Sequence, residues 1–158
     1  NMGRSLTTKS GNDRVYTPDY LAKAIVERYK PTGRILEPCC GEGAFLKYLP
    51  TAEWCEIDKG RDFMDWTEKV DWIITNPPYS KYLDFLRHSF EVANNVVFLQ
   101  FVNAFFMRKR VKTMREMGFE IKDIWYLDTP PKPWPQTGFQ VGCIYFKSKK
   151  ERTRTHDP

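Results

Sequence analysis

The sequence predicts an α/β domain, a doubly wound and mostly parallel sheet with an antiparallel C-terminal strand. Three observations predict it. Short apolar segments of strand length alternate with segments of helical period. Turns rich in Gly, Pro and Asn punctuate them. The last two strand segments are joined by a Pro-rich loop without a helix, so they pair antiparallel. A chain of 158 residues fits one domain, and 41% hydrophobic residues with 15% aromatics suffice for a buried core.

The elements follow in order. Residues 1–15 are polar and read as a flexible N-terminal segment. Residues 17–30 (TPDYLAKAIVERYK) read as a helix. Thr17 can cap it, Pro18 suits its first turn, and Leu21, Ala24, Ile25 and Tyr29 form one apolar face. A short strand, Arg34 to Glu37, runs into Pro38 and a glycine turn, after which residues 43–49 read as a helix. Residues 52–57 (AEWCEI) alternate as a strand, and residues 70–75 (VDWIIT) form another, ending at Asn76. An amphipathic helix over 80–93 offers Tyr82, Leu83, Leu86 and Phe90 to the core. A strand over 95–101, a helix over 104–117 ending at Gly118, and strands over 119–127 and 140–147 complete the domain, which spans 16–148. Residues 149–158 form a basic tail expected to be disordered.

Composition excludes several classes. No apolar run approaches the ~20 residues of a membrane span. The start, NMGRSLTTKSGNDR, lacks the apolar stretch of a secretion signal. Cys39, Cys40, Cys55 and Cys143 form no C-x-x-C pair and only His88 and His156 accompany them, so no metal site is expected. A reduced, cytoplasmic setting follows from that usage. His88 reads as a helix-surface residue.

The charge is unevenly placed. Residues 108–115 (RKRVKTMR) hold five cations and no anion, and residues 147–154 (KSKKERTR) hold five cations and one anion. The rest of the chain is net acidic although the whole carries +5. Cation clusters on an acidic body suggest a polyanion such as nucleic acid, against the plainer reading of a solvated helix face and a soluble tail. Arg108, Lys109, Arg110 and Lys112 are the candidate phosphate contacts. In the loop 128–138 (DTPPKPWPQTG), Trp134 is poorly placed for a core and is the other candidate for substrate contact, against a packed edge loop.

Three segments carry chemistry. In Glu37-Pro38-Cys39-Cys40-Gly41-Glu42-Gly43, after a strand and before a helix, Gly41 and Gly43 let a ligand approach the backbone, and a helix N-terminus offers N–H groups. The third glycine of the dinucleotide fingerprint is missing, which argues against NAD. Glu56 ends the next strand, 15 residues beyond Gly41, where a carboxylate can accept from a ribose diol. Asn76-Pro77-Pro78-Tyr79 follows the apolar strand. Its prolines withdraw N–H donors and stiffen the backbone. Carbonyl acceptors at Asn76 and Pro77 beside the flat face of Tyr79 suit an amino group on a planar ring.

These segments resemble a family. EPCCGEGAF, EID (56–58), RDF (61–63) and NPPY (76–79), with Tyr16-Thr17-Pro18 ahead of them, resemble the ordered motifs of S-adenosylmethionine-dependent DNA N6-adenine methyltransferases. The resemblance spans residues 14–147. It implies a Rossmann-like class I methyltransferase fold with S-adenosyl-L-methionine as cofactor. It implies that Glu37, Pro38, Cys39, Gly41 and Gly43 cradle the methionine end and that Tyr16 and Thr17 close over it. Glu56 would then hold the ribose, with Ile57, Asp62 and Phe63 around the cofactor adenine. Asn76, Pro77, Pro78 and Tyr79 would hold the target base. Two departures stand out. Only 20 residues separate Glu56 from Asn76, so the family's usual helix and strand there must be much reduced. No target-recognition domain follows the catalytic core in this sequence.

The resulting expectation is an enzyme that methylates the exocyclic N6 amino group of adenine in DNA by direct in-line transfer. RNA adenine or a protein glutamine amide is the alternative substrate. A cofactor-binding subunit that needs a DNA-recognition partner, or a homodimer, is the alternative organisation. Cytosine-C5 chemistry is rejected, because it needs a thiol at the target loop and the Pro-Cys pair here, Pro38-Cys39, sits in the cofactor loop.

Overall fold

The computed structural model describes residues 15–150. The expected N-terminal segment and basic tail therefore lie almost wholly outside the described residues.

The strands are β1 (Ile35–Glu37), β2 (Glu53–Trp54), β3 (Val70–Thr75), β4 (Ala93–Phe101), β5 (Phe119–Leu127) and β6 (Val141–Ser148). They form one sheet in the order β2-β1-β3-β4-β6-β5. β2, β1, β3 and β4 run parallel, while β6 is antiparallel to both of its neighbours. From β1 the chain goes outward to β2 and then returns to the other side as β3. Strand order reverses there, and open α/β sheets offer a crevice at the carboxyl ends of such strands. Glu37 and Asn76 stand at those two ends.

The core follows from strand periodicity. β4 is central, and Val96, Val97, Phe98 and Leu99 are all fully buried. Val96 and Phe98 join one apolar cluster with Phe85, Leu86 and Phe90 of α2 (Tyr82–Val92) and Met114 of α3 (Arg108–Glu116). Val97 and Leu99 join the other, with Leu21, Ala22 and Ile25 of α1 (Asp19–Tyr29). Alternate residues of one strand thus serve opposite faces, which explains its continuous apolar run. No helix among the described residues is long and apolar enough to cross a membrane.

Several local expectations change. Pro18 stands at the N-cap of α1, and its carbonyl accepts from Leu21 and Ala22. Thr17 makes no cap. Its hydroxyl accepts from Asn76 instead, at 3.3 Å. Ala22 rather than Ala24 completes the buried face. The helix expected over 43–49 shrinks to a single 3-10 turn, Leu46–Tyr48. Gly41 and Gly43 adopt φ of 55° and 86°, left-handed values that cannot start a helix, and Pro50 closes the segment. The interval between β2 and β3 holds only two further 3-10 turns, Ile57–Lys59 and Phe63–Asp65. The helix expected from 104 begins at Arg108, after a 3-10 turn Val102–Ala104.

Trp134 is the largest correction. It is 2% exposed and belongs to the α1-side core, edge-on to Phe101. Its Nε1 donates to the Tyr16 carbonyl at 2.9 Å. The prolines around it fold the loop back so that the ring closes the sheet's carboxyl edge. This placement leaves it no face for substrate. His88 is also structural: Nε2 lies 2.7 Å from the Trp66 carbonyl and its ring packs edge-on to Phe63.

Trp134→Ala is expected to destabilise the chain by about 3–5 kcal/mol, the cost of a large core cavity. Arg108→Ala, on an exposed helix face, should change stability by about 0.5 kcal/mol or less. Urea unfolding of the two variants checks the contrast; equal, small losses would return Trp134 to the surface.

Candidate active site

The crevice opens where β1 and β3 end. Val15, Tyr16, Thr17 and Asp19 line one side, Glu37, Cys39, Cys40, Gly41, Glu42, Ala44 and Phe45 the other, and Glu56 and Asn76 complete it, while Gly43, expected to cradle the cofactor, does not line it. The expected cofactor residues Tyr16, Thr17, Glu37, Cys39, Gly41 and Glu56 thus converge on one space.

Two buried carboxylates shape the turn. Glu37 and Glu56 are each 2% exposed. Glu37 Oε1 accepts from the Cys39 N–H at 2.9 Å. Glu56 accepts from the Gly41 N–H at 2.9 Å through Oε1 and from the Asp58 N–H at 3.1 Å through Oε2. The turn is therefore fastened by side chains rather than by a helix start. The expected supply of backbone donors from a helix N-terminus is not there, and the Gly41 amide is already committed. A carboxylate oxygen can accept more than one hydrogen bond. Burial pushes the Glu37 carboxyl up to about 8, with neighbouring Glu56 adding to the rise against the Cys39 bond, which lowers it. Burial likewise pushes the Cys40 thiol up to about 11, which keeps it neutral and poorly nucleophilic.

Tyr16 leans over the turn. A Cβ built on Gly41 would stand 3.0 Å from its ring and crowd it, in addition to straining the left-handed φ there. The Tyr16 carbonyl is held by Trp134, and the preceding Val15 carbonyl accepts from Asn76 Nδ2 at 2.8 Å. A carbonyl can only accept, so this bond fixes which way the Asn76 amide faces. Both amide hydrogens go to Val15 and Thr17. The Oδ1 end is the one that can accept from a substrate.

A second cavity lies beyond the same segment. Tyr79, Tyr82, Phe101, Asn103, Ala104, Arg110, Pro135, Thr137 and Phe139 line it. Tyr79 is tilted against Phe101 with ring centroids 6.2 Å apart. The Arg110 guanidinium stacks over Tyr82 at 4.3 Å and donates to the Ala104 carbonyl. Arg110 is therefore drawn inward as a wall of this cavity, whereas Arg108, Lys109 and Lys112 remain exposed on α3. Lys112 reaches Glu116 at 3.9 Å. Pro77 and Pro78 are buried between the two cavities.

Other candidates fall outside. Phe63 is buried in the α2-side core against Phe85, its centroid 4.9 Å away, so it cannot flank a ligand in the crevice. Asp62 caps its turn by accepting from the Met64 N–H. Ile57 is half-buried, and neither it nor Asp62 lines the crevice. Pro38 is buried behind the turn. Sequence reasoning missed Asp19 and Phe139. The available signals were the position of Asp19 directly after Tyr16-Thr17-Pro18 and that of Phe139 directly after Gly138 at the end of a Pro-rich loop.

Four acidic side chains, Asp19, Glu37, Glu42 and Glu56, are among its lining. Asp19 is ion-paired with Lys47 at 3.0 Å, and the raised Glu37 carboxyl is mostly protonated at neutral pH, so the lining is less anionic than the count of acids suggests. Among the described residues no group of three or more metal-ligating side chains occurs, and all four cysteines are free thiols.

No protein-family model matches the chain, and no curated protein matches it. Solved structures do. A candidate RNA methyltransferase from Pyrococcus horikoshii superposes with a TM-score of 0.60 at 12% identity, over 92% of each chain. A ribosomal protein L11 methylase from Lactobacillus delbrueckii subsp. bulgaricus gives 0.56 at 14%, over 80% of this chain and 77% of that one. The magnesium protoporphyrin IX methyltransferase of Synechocystis, solved with bound S-adenosylmethionine, gives 0.55 at 10%, over 82% and 79%. The fold is that of Rossmann-like methyltransferases.

The raised Glu37 carboxyl makes stability depend on pH. Its proton is held more tightly in the folded chain than at the ordinary 4.5. Its contribution is therefore complete below that value and is lost as pH rises through 8. Glu37→Gln should remove the loss, so the variant gains on the parent between about pH 4.5 and about pH 8, with no further gain above that. Thermal unfolding across that range checks it; parallel curves would mean the carboxyl is solvated.

Proposed function

We propose that this chain is an S-adenosyl-L-methionine-dependent methyltransferase acting on the exocyclic N6 amino group of adenine in DNA. One observation carries the reading. The rigid Asn76–Tyr79 segment divides two cavities, with Asn76 in the acidic crevice and Tyr79 in the aromatic one.

The residues present fit the cofactor. S-adenosyl-L-methionine carries a sulfonium and an ammonium, and the crevice lining includes the acidic side chains of Glu42 and Glu56. Glu37, Cys39 and Gly41 would hold its methionine end, Glu56 its ribose, and Tyr16 would cover it. When bound, it supplies an electrophilic methyl group.

The chain's own part is binding and orientation. Asn76 Oδ1 and the Pro77 carbonyl accept from the target amino group, which turns its lone pair out of conjugation with the ring. Tyr79 stacks on the base, worth roughly 1–3 kcal/mol against the few kcal/mol that leaving a duplex stack costs. Orientation of this kind offers at best about 7–11 kcal/mol of barrier reduction. The nitrogen becomes strongly acidic as it gains the methyl, so its proton passes to solvent without a strong base. The exposed cations of α3 supply phosphate contacts. The Tyr16-Thr17-Pro18 and EPCCGEGAF segments favour DNA adenine over the other amino substrates that share NPPY.

Incubation with tritiated S-adenosylmethionine and separate DNA, RNA and protein pools tests the reading. Label in DNA that digests to N6-methyladenine is the expected result; label confined to RNA or protein overturns the substrate. Asn76→Ala should lower transfer about 100-fold and, because it also unties Val15 and Thr17 at the rim of the crevice, weaken S-adenosylhomocysteine affinity by less than Glu56→Ala does. Glu56→Ala should weaken that affinity about tenfold or more. Titration calorimetry separates the two; equal loss of ligand in both variants would refute the division of roles.

A further inference from the structure

The corner between β4 and α3 carries a feature that the proposed chemistry leaves unused. Its 3-10 turn sends Asn103 and Ala104 into the wall of the Tyr79 cavity. Phe105 then drops fully into the core. The next two residues do the opposite: Phe106 is 50% exposed and Met107 is 52% exposed. Two large apolar side chains thus stand in succession outside the cavity. Phe106 is three residues from Asn103, so no more than about 11 Å of backbone separates it from the wall.

The pair is held firmly. The Phe106 ring packs edge-on against buried Phe105, with centroids 5.1 Å apart. The Phe106 N–H donates to the Asn103 carbonyl at 3.1 Å, and the Met107 N–H to the Phe105 carbonyl at 2.7 Å. The Arg110 guanidinium closes the corner on the Ala104 carbonyl. Behind it α3 presents Arg108, Lys109, Lys112 and Arg115 to solvent. Its one anion, Glu116, lies at the far end beside Lys112. A rigid apolar tip flanked by cations matches a specific chemistry. Proteins that unstack DNA insert Phe or Met between base steps and hold the neighbouring phosphates with Lys and Arg.

We infer that Phe106 and Met107 are an apolar wedge that enters duplex DNA beside the target adenine and occupies the space it vacates. Arg108, Lys109, Lys112 and Arg115 grip the flanking phosphates. The inference rests on the proposed methylation of DNA. It adds that the duplex is opened by this corner of the chain itself. A target that is already unpaired does not need the wedge, and that difference separates wedge from chemistry.

The test uses one DNA preparation, native and heat-denatured, with tritiated S-adenosylmethionine. The readout is the ratio of duplex to single-strand labelling. The Phe106→Ala/Met107→Ala variant should lower the ratio about tenfold or more, since duplex opening is the penalised step. Phe106→Trp, which keeps a flat apolar tip, should retain it. A duplex whose adenines face abasic positions should restore labelling by the double alanine variant. An unchanged ratio, or equal loss on both forms, overturns the wedge while leaving methylation standing. A parent chain that labels neither form overturns the methylation reading, and the wedge falls with it.

Discussion

Two carboxylates taken out of water hold the crevice together. Burying a carboxylate costs several kcal/mol unless donors meet it. Here the donors are the backbone N–H groups of the very turn that must be shaped: Cys39 for Glu37, Gly41 and Asp58 for Glu56. The left-handed values at Gly41 and Gly43 aim the turn, and the carboxylates fasten it. The arrangement explains how a strand of only three residues, β1, can carry an ordered loop that leads to a single 3-10 turn rather than a helix.

A second fastening comes from outside the sheet. Residues 15–17 run across the crevice and are tied at two points, by Asn76 to the Val15 carbonyl and by Trp134 to the Tyr16 carbonyl. Both ties end on the backbone, so they fix the path of the segment whatever its side chains do. The bond from Asn76 has a further effect. A side-chain amide with both hydrogens committed presents its oxygen in one direction, which is the preorganisation an acceptor for an amino group requires.

The parts legible in the sequence were those where one periodicity dominates. The segments VDWIIT and FEIKDIWYL became β3 and β5 with the expected ends, and the helix-free Pro-rich loop correctly required antiparallel pairing. That the chain turns directly after β3 was legible because Pro77 and Pro78 constrain the backbone locally. Illegible parts were set by tertiary contacts. GAFLKYL has a helical pattern, but the six residues between left-handed Gly43 and Pro50 are too few to nucleate a helix. Trp134 looked stranded among prolines because nothing local announces that the Tyr16 carbonyl, 118 residues away, awaits its N–H. Arg110 belonged to a run of cations, yet only the position of Tyr82 decides that it turns inward.

The fate of Phe63 shows how the shortened interval between β2 and β3 reshapes the site. Where the resemblance implies a helix and a strand, this chain has two 3-10 turns, and the sheet ends at the two-residue β2. An absent helix leaves apolar surface on β1 and α2 that something must cover. Phe63 does so, packing on Phe85 and His88 beside Leu36 and Cys55. A residue drawn into the core for this purpose cannot also wall a ligand. The crevice is accordingly walled by the turn after β1 and by residues 15–19, and takes nothing from the β2–β3 interval except Glu56.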